Sequence, residues 1–164
     1  MLLSTPWSVF IFGEDDKIVI ACNTAHLLVP ELERRLGVRF ISLTRNTVAE
    51  ITRLGLHRIG LLASPTTIHT RLYENALQVK DIEVILPSPV KQQKIEHIIR
   101  DVIAGRPHKQ LQAGLQPIMR DLERSGAEAV LLGCTELSVL FPGESAMRID
   151  PLHIIVKKLV KEIS

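Results

Sequence analysis

Apolar residues along the chain fall into short runs separated by amphipathic stretches. Five runs of five or six residues are almost continuously apolar, which is typical of strands buried on both faces of a parallel sheet. They are "KIVIA" (17–21), "RFISL" (39–43), "RIGLLA" (58–63), "IEVIL" (82–86) and "AVLLG" (129–133). The pattern therefore predicts five buried strands.

Between these runs, apolar residues recur at the spacing of helices. In "TRNTVAEITRLGL", Val48, Ile51 and Leu54 lie three positions apart. The stretches "PELERRLG", "KIEHIIRDVIAG" and "LQPIMRDLERSG" each end in glycine, which commonly closes a helix. Pro117, inside the last of these stretches, is expected to break or kink the helix that precedes it.

The alternation of strands and helices indicates an α/β protein built on mainly parallel sheets. A length of 164 residues suits one domain or two small lobes that fold together. Apolar residues make up 46% of the chain, so there is enough material for a core, and aliphatic side chains must supply most of it because aromatics are only 4%.

Charge and hydropathy argue against two classes of partner. The net charge is only +2 and no long basic stretch occurs, so nucleic acid is not an expected partner. The apolar start of the chain lacks a cationic region and is interrupted by Pro6, so no signal peptide is predicted. No run approaches the roughly 18 apolar residues of a membrane span. We expect a cytoplasmic protein, in which structural disulfides are uncommon.

The two cysteines of the chain stand in similar surroundings. Cys22 and Cys134 each end an apolar run, in "IVIACNTAH" and "AVLLGCTEL", and a proline follows each one eight residues later. Ligands of open parallel sheets bind beyond the carboxyl ends of the strands. The repeated pattern predicts two similar lobes whose thiols face each other across a cleft.

Each cysteine precedes a predicted helix start, where Thr24 and Thr135 are suited to accept hydrogen bonds from free amides. The positive end of a helix is expected to lower the pKa of a nearby thiol. Two such thiols on opposite faces of a carbon could act as base and acid and thereby invert its configuration.

Other interpretations of the cysteines remain open from the residues alone. Either cysteine could simply fill a core position, or the two could form a disulfide. Cys22 and His26 have a spacing that a metal could use, although no second pair of ligands stands nearby. A cysteine nucleophile could also pair with His26 or His153.

The order of several motifs resembles the aspartate/glutamate racemase family. "ACNTAH" and "GCTEL" are similar to its two cysteine signatures, and "RIGLLASPTTIHTRLY", "IEVILPSP" and "ERSGAEAVLLGCTEL" resemble the segments between and around them. The resemblance covers roughly residues 14–155. Glu136, after the second Cys-Thr, is typical of the aspartate-racemase branch, whereas the glutamate-racemase branch usually has histidine there.

The resemblance implies two pseudo-symmetric α/β lobes: residues 1–42 with 149–164, a shortened first lobe, and residues 43–148. It implies racemisation of an acidic or related amino acid without pyridoxal phosphate, metal or any other cofactor. Cys22 and Cys134 would be the opposed acid and base. Family members are often dimers, so a homodimer is expected. The positions that would bind substrate are Asn23, Thr24, Thr67, Thr135 and Glu136.

The chain departs from the family pattern in two places. A full-length relative has a further segment ahead of "GEDDKIVIACNTAH", so a sheet edge near Cys22 is expected to be bare and to favour self-association. Ile103 stands where aspartate-selective relatives tend to carry lysine, which points to a broader or different amino-acid specificity. The alternatives are an inactive family member that at most binds a small carboxylate, and an enzyme that isomerises or decarboxylates small dicarboxylic acids.

Overall fold

The computed structural model describes residues 9–12, 17–143 and 145–162. Its strands are β1 (Val9–Phe12), β2 (Lys17–Ile20), β3 (Arg58–Ala63), β4 (Glu83–Ile85), β5 (Ala129–Gly133) and β6 (Arg148–Ile149). Its α-helices are α1 (Val29–Leu36), α2 (Leu43–Arg53), α3 (Pro65–His69), α4 (Leu72–Gln78), α5 (Pro89–Ile103), α6 (His108–Arg124), α7 (Thr135–Ser138) and α8 (Pro151–Glu162). A short 3-10 helix, Thr24–Leu27, follows β2.

Four parallel strands form the main sheet, in the order β4-β3-β5-β6. The central pair is β3 with β5, in register from Ile59 opposite Ala129 to Ala63 opposite Gly133. Because both strands end at the same level, the residues that follow them emerge side by side at the carboxyl edge of the sheet.

Helices cover both faces of this sheet because alternate residues of a strand point to opposite sides. On one face, Leu62 and Leu132 pack in a cluster with apolar side chains of α5, α6 and α7. On the other face, Leu61 and Leu131 pack with side chains of α2 and α4. The two central strands are therefore almost wholly buried, which explains their continuous apolar sequences.

Most of the predicted elements are confirmed, but the run "RFISL" is not a strand. Only Phe40 in that run pairs, through an isolated parallel bridge to Ile18. The Ser42 side chain then accepts a hydrogen bond of 3.1 Å from the Arg45 N–H and caps α2, which begins at Leu43. The helix cap therefore ends the extended segment before a strand can form.

The expected break at Pro117 is also wrong, because α6 continues through this residue. Proline removes the hydrogen bond to the carbonyl of Ala113. Ala113 and Pro117 are both exposed, so water can reach the freed carbonyl. The opposite side of the helix is buried through residues such as Leu115 and Ile118, and this packing holds the helix together.

A second, two-stranded sheet pairs β1 with β2 in antiparallel register. This differs from the prediction that both sheets are mainly parallel. Only four residues connect the two strands, whereas a parallel connection needs about a dozen or more. A small cluster of Val19, Leu43, Ile155 and Leu159 packs β2 against α2 and α8. Among the described residues, no helix has the length and apolar character needed to cross a membrane.

Candidate active site

Two turns meet at the carboxyl edge of the main sheet. Ser64 follows β3, and its hydroxyl accepts a hydrogen bond of 3.3 Å from the Thr67 N–H, so it caps α3. Cys134 follows β5 and directly precedes α7. Since Ala63 and Gly133 are paired, these two turns are neighbours.

Close packing at the end of β5 fixes the position of the backbone that leads into Cys134. A Cβ atom on Gly133 would lie 2.8 Å from Leu61 Cδ1 and 3.0 Å from Ala63 Cβ. Both distances are shorter than an ordinary contact, so only glycine allows β3 and β5 to approach this closely. The thiol-bearing residue is therefore anchored to a rigid part of the sheet.

The Cys134 thiol is buried and contacts a carboxylate. Its Sγ donates a hydrogen bond of 2.9 Å to Glu136 Oε2, which also accepts one of 3.2 Å from Thr135 Oγ1. Burial raises the pKa of Cys134 well above its usual range, and the Glu136 carboxylate raises it further, while the Glu136 backbone N–H opposes the change. Cys134 is therefore held as a neutral thiol.

This result contradicts the expectation that a helix start lowers the pKa of Cys134. The backbone effect has the predicted sign, but α7 has only four residues and its field is correspondingly small. Burial and the neighbouring negative charge outweigh it.

Cys22 has different surroundings from Cys134. Its side chain is partly exposed, and its backbone N–H donates to the Ile20 carbonyl over 2.8 Å, which turns the chain at the end of β2. A negative charge on Cys22 contributes to the raised pKa of Cys134. The two thiols therefore interact electrostatically, although one is buried beside a carboxylate and the other is open to solvent.

His26 holds the Cys22 turn in place. Its Nδ1 lies 2.9 Å from the Cys22 carbonyl oxygen, and its Nε2 accepts a hydrogen bond of 2.9 Å from the Leu43 N–H. Since Nε2 is the acceptor, Nδ1 carries the hydrogen and donates a hydrogen bond to the Cys22 carbonyl oxygen. Both ring nitrogens are thus engaged with backbone groups. Within the described residues, no group of three or more His, Cys, Asp or Glu side chains could hold a metal ion.

Three hydroxyl groups link the Cys22 turn to the end of β3. Thr24 Oγ1 lies 3.2 Å from Thr67 Oγ1 and 3.5 Å from Ser64 Oγ, and Ser64 Oγ lies 3.0 Å from Thr67 Oγ1. The sequence analysis predicted Thr24 and Thr67 but missed Ser64. The signal for it was present, since serine directly before proline is typical of a helix start.

The two threonines that follow the cysteines do not cap helices, contrary to expectation. Asn23 and Cys134 occupy the cap positions, and neither makes a capping hydrogen bond through its side chain. Thr24 is instead directed to the hydroxyl cluster, and Thr135 contacts Glu136. The hydroxyl groups are therefore part of the site and not of the helix ends.

Asn23 is almost completely buried beside Tyr73. Its Oδ1 accepts a hydrogen bond from the Tyr73 hydroxyl, whereas its Nδ2 is buried without a partner. Tyr73 has no exposed surface, and burial raises its pKa. The sequence analysis did not connect Tyr73 with Asn23, which is fifty residues away.

The predicted site residues thus form two groups. Asn23, Thr24 and Thr67 lie together with Ser64 and Tyr73. Cys134, Thr135 and Glu136 share one set of hydrogen bonds at the end of β5. The pairing of Ala63 with Gly133 places Ser64 beside Cys134, and the contact of Thr24 with Ser64 joins the first group to the same edge of the sheet. This arrangement combines two thiols with a set of hydroxyl and amide groups suited to a small carboxylate.

Comparison with protein families identifies a family for this chain. The model of the Asp/Glu/Hydantoin racemase family matches residues 15–159. The chain belongs to this family. The match includes both cysteines and every residue of the two groups described above.

Individual racemase-family proteins show similarity at low identity. The broad specificity amino-acid racemase RacX of Bacillus subtilis is 26% identical over 125 residues, covering 76% of this chain and 54% of that protein. An aspartate racemase homologue from Pyrococcus horikoshii OT3 has a solved structure that superposes with a TM-score of 0.70 at 28% identity, covering 87% of this chain and 64% of that one.

A third relative is closer in length. It is an uncharacterised protein encoded in the pnlA 3' region of Pectobacterium carotovorum subsp. carotovorum, 27% identical over 134 residues, which cover 80% of this chain and 87% of that protein. The chain thus spans little more than half of RacX and about two thirds of the Pyrococcus structure. The superposition shows that the chain shares its α/β fold with the Pyrococcus structure.

Proposed function

We propose that this protein is a cofactor-independent amino-acid racemase that inverts the Cα of an acidic or related amino acid, with Cys22 and Cys134 as the two proton-transfer groups. The observation that carries the proposal is the unequal state of two thiols at one edge of the sheet. Cys134 is a buried, protonated thiol donating to Glu136, while Cys22 is partly exposed and interacts with it electrostatically.

The proton balance follows from this difference. Cys22, as a thiolate, takes the Cα proton from one face of the substrate and leaves a carbanion stabilised by the adjacent carboxylate. Cys134 gives its proton to the opposite face, so one C–H bond breaks and another forms, with inversion. The enzyme then carries a thiol at Cys22 and a thiolate at Cys134. The opposite enantiomer reacts by the reverse route.

The form left after this step is the less favourable one. A thiolate at Cys134 stands next to the Glu136 carboxylate, and burial already disfavours its charge. Regeneration of the Cys134 thiol is therefore favoured. We assign to Glu136 the role of keeping the proton on the Cys134 thiol. Its negative charge also suits the substrate ammonium group better than the substrate carboxylate.

Hydroxyl and amide groups are assigned to the carboxylate of the substrate. Asn23 and Thr24 directly follow Cys22, Thr67 contacts Thr24, and Thr135 directly follows Cys134 and donates to Glu136. Ile103, at the end of α5, is 69% exposed and carries no charge. The proposal therefore covers aspartate, glutamate and neutral relatives, in keeping with the broad specificity named for RacX.

We also propose that each chain has two lobes, residues 1–42 with 149–164 and residues 43–148. Two chains would form a cytoplasmic homodimer. Exposed apolar side chains on the first of these units support self-association, including Leu28 and Leu36, which are 62% and 61% exposed. Sedimentation equilibrium of the purified chain tests the dimer, and a mass of one chain at all concentrations would reject it.

The enzymatic proposal is tested by isotope exchange. The chain is incubated in heavy water with L- and D-aspartate, L- and D-glutamate and a panel of other amino acids, and proton NMR follows loss of the Cα–H signal. Maleate and malonate derivatives are tested in parallel. We expect exchange at Cα together with appearance of the other enantiomer.

Cysteine variants make the test specific. Cys22→Ala and Cys134→Ala should abolish racemisation, while each can retain exchange of one enantiomer. Exchange at the parental rate in the double variant would reject the two-thiol mechanism. A folded chain without exchange would favour a protein that only binds small carboxylates, and turnover of only the dicarboxylic acids would replace racemisation by a different reaction.

A further inference from the structure

The Asn23 amide is partnered at one end and unpartnered at the other. Only 2% of the residue is exposed. Its Oδ1 accepts from the Tyr73 hydroxyl, and its Nδ2 is buried without a partner. A buried donor without a partner is unfavourable, so it needs an explanation. Asn23 lies between Cys22 and Thr24, where a ligand can supply the missing acceptor.

Tyr73 is well placed to control the orientation of this amide. It is entirely buried on α4. Burial raises the pKa of its phenol, and the nearby Thr47 hydroxyl on α2 opposes the change. The phenol therefore keeps its proton at neutral pH and can donate a hydrogen bond to Asn23 Oδ1.

The Thr47 hydroxyl already donates its hydrogen to a backbone carbonyl. Its Oγ1 donates a hydrogen bond of 2.8 Å to the Leu43 carbonyl, so its single hydrogen is used and it has none to offer the phenol. Thr47 is fully buried. Its oxygen can therefore only accept from the phenol, in competition with Asn23 Oδ1.

We propose that Tyr73 is a positioning residue that makes Asn23 present its Nδ2, and not its Oδ1, to the substrate carboxylate. The two ends of an amide have almost the same shape but opposite hydrogen-bonding character. If the amide turned over, an oxygen would face the carboxylate and repel it. The preference of the site for a carboxylate over a carboxamide thus depends on a phenol that is not assigned to contact the substrate. This inference rests on the proposed function.

The experiment compares three ligands that differ in one group. They are L-aspartate, L-isoasparagine, in which the α-carboxylate is an amide, and L-asparagine, in which the side-chain carboxylate is an amide. Their dissociation constants are measured by protection of Cys22 from iodoacetamide, followed by peptide mass spectrometry. In the unmodified protein we expect L-aspartate to bind at least tenfold more tightly than one of the two amides, which identifies the carboxylate that Asn23 meets.

Tyr73→Phe should reduce this preference to threefold or less, because Asn23 is then free to turn over. Thr47→Val removes an acceptor that competes with Asn23 for the phenolic hydrogen, so it should keep the full preference. Thr52→Val is the matched control, since Thr52 makes the same type of bond on α2, from its Oγ1 to the Val48 carbonyl over 2.8 Å, and it should also keep the full preference. A loss of the preference in Thr47→Val, with the preference intact in Tyr73→Phe, would overturn the part assigned to the phenol.

A second variant covers the case in which Tyr73→Phe does not fold. Asn23→Asp keeps an acceptor for Tyr73 but replaces Nδ2 by oxygen, and it should lose the carboxylate preference while circular dichroism stays unchanged. An intact tenfold preference in a folded Tyr73→Phe protein, or in Asn23→Asp, would overturn the inference. The proposed function would still stand after that outcome if the unmodified protein exchanges the Cα proton of an amino acid. No exchange and no protection by any amino acid in the unmodified protein would reject the proposed function and this inference with it.

Discussion

The Sγ atom of Cys134 lies 2.9 Å from Oε2 of Glu136, so the buried thiol donates a hydrogen bond to a carboxylate two residues along the chain. The same short segment contains the end of a central strand and the start of a helix. The protonation of Cys134 is therefore set by a local contact on a rigid support.

Glu136→Gln should make Cys134 more reactive. The carboxylate raises the pKa of the thiol, so its removal lowers that pKa, although burial continues to keep it high. A fall of one unit increases the thiolate fraction about tenfold. The rate of Cys134 alkylation, measured by peptide mass spectrometry from pH 7 to 10, should rise on the order of tenfold. Glu123→Gln, on α6, is the control and should leave the rate unchanged; a rate in Glu136→Gln that matches this control would contradict the electrostatic role of Glu136.

Cys134 should also make the fold less stable in alkaline solution. Its pKa is raised in the folded state, so the unfolded chain loses the thiol proton first as the pH rises. Stability from this source is complete below the pKa of a free thiol, about 8.5, and is lost above it, by at most about 1.4 kcal/mol per pH unit. Tyr73 acts in the same sense only above its ordinary value of about 10.

Urea unfolding under reducing conditions at pH 7, 8.5, 9.3 and 10 measures this loss. Cys134→Ala should flatten the pH dependence between 8.5 and 10, whereas Cys22→Ala should leave it in place. The same slope in both variants would show that the Cys134 thiol is not the source.

Gly133→Ala should destabilise the protein. The added Cβ would meet Leu61 Cδ1 at 2.8 Å, Ala63 Cβ at 3.0 Å and the Leu62 carbonyl at 3.3 Å, and overpacking of this kind typically costs about 1–3 kcal/mol. Urea unfolding measures the free energy directly. Gly114→Ala is the matched comparison, because a Cβ there meets only the flexible end of Ile98 at 3.2 Å and of Lys94 at 3.7 Å. Its stability should be unchanged or higher by up to about 1 kcal/mol.

His26→Phe should lower both stability and activity. The substitution removes the partners of two backbone groups, the Cys22 carbonyl and the Leu43 N–H. Leaving two such groups unsatisfied costs roughly 2–4 kcal/mol in total, and the Cys22 turn loses its attachment to α2. His97→Phe, at an exposed site on α5, is the control and should change the unfolding free energy by about 0.5 kcal/mol at most.

A variant that keeps one hydrogen-bonding function separates position from size. His26→Gln can donate and accept through its amide and should restore part of the isotope exchange lost in His26→Phe. If His26→Phe exchanges the Cα proton at the parental rate, His26 has no positioning role.

The central strands could be predicted from the sequence because they are buried on both faces. Residues 58–63 and 129–133 were assigned with their observed bounds, and the position of Cys134 at a strand end followed from the second of them. "RFISL" had the same composition but became a helix start, because the Ser42 cap acts locally on the next turn. A pattern of apolar residues does not show whether a strand or a helix start will form at such a position.

The site was predictable where its residues are close in sequence. Thr135 and Glu136 follow Cys134 directly. The contact between Asn23 and Tyr73 depends on how α4 packs, and no local pattern indicates it. The pKa of Cys134 was predicted with the wrong sign, since the sequence shows a helix start but not the depth at which the thiol is buried.

The pairing of Ala63 with Gly133 also decides when the chemistry becomes available. The two residues are seventy positions apart, and Ser64 and Cys134 meet only after the chain has closed that long loop. Such non-local pairing forms slowly compared with local helices. During synthesis, Cys22 leaves the ribosome long before Cys134, so the two candidate groups cannot come together until most of the chain has been made. The proposed proton transfer is thereby postponed until the fold is nearly finished.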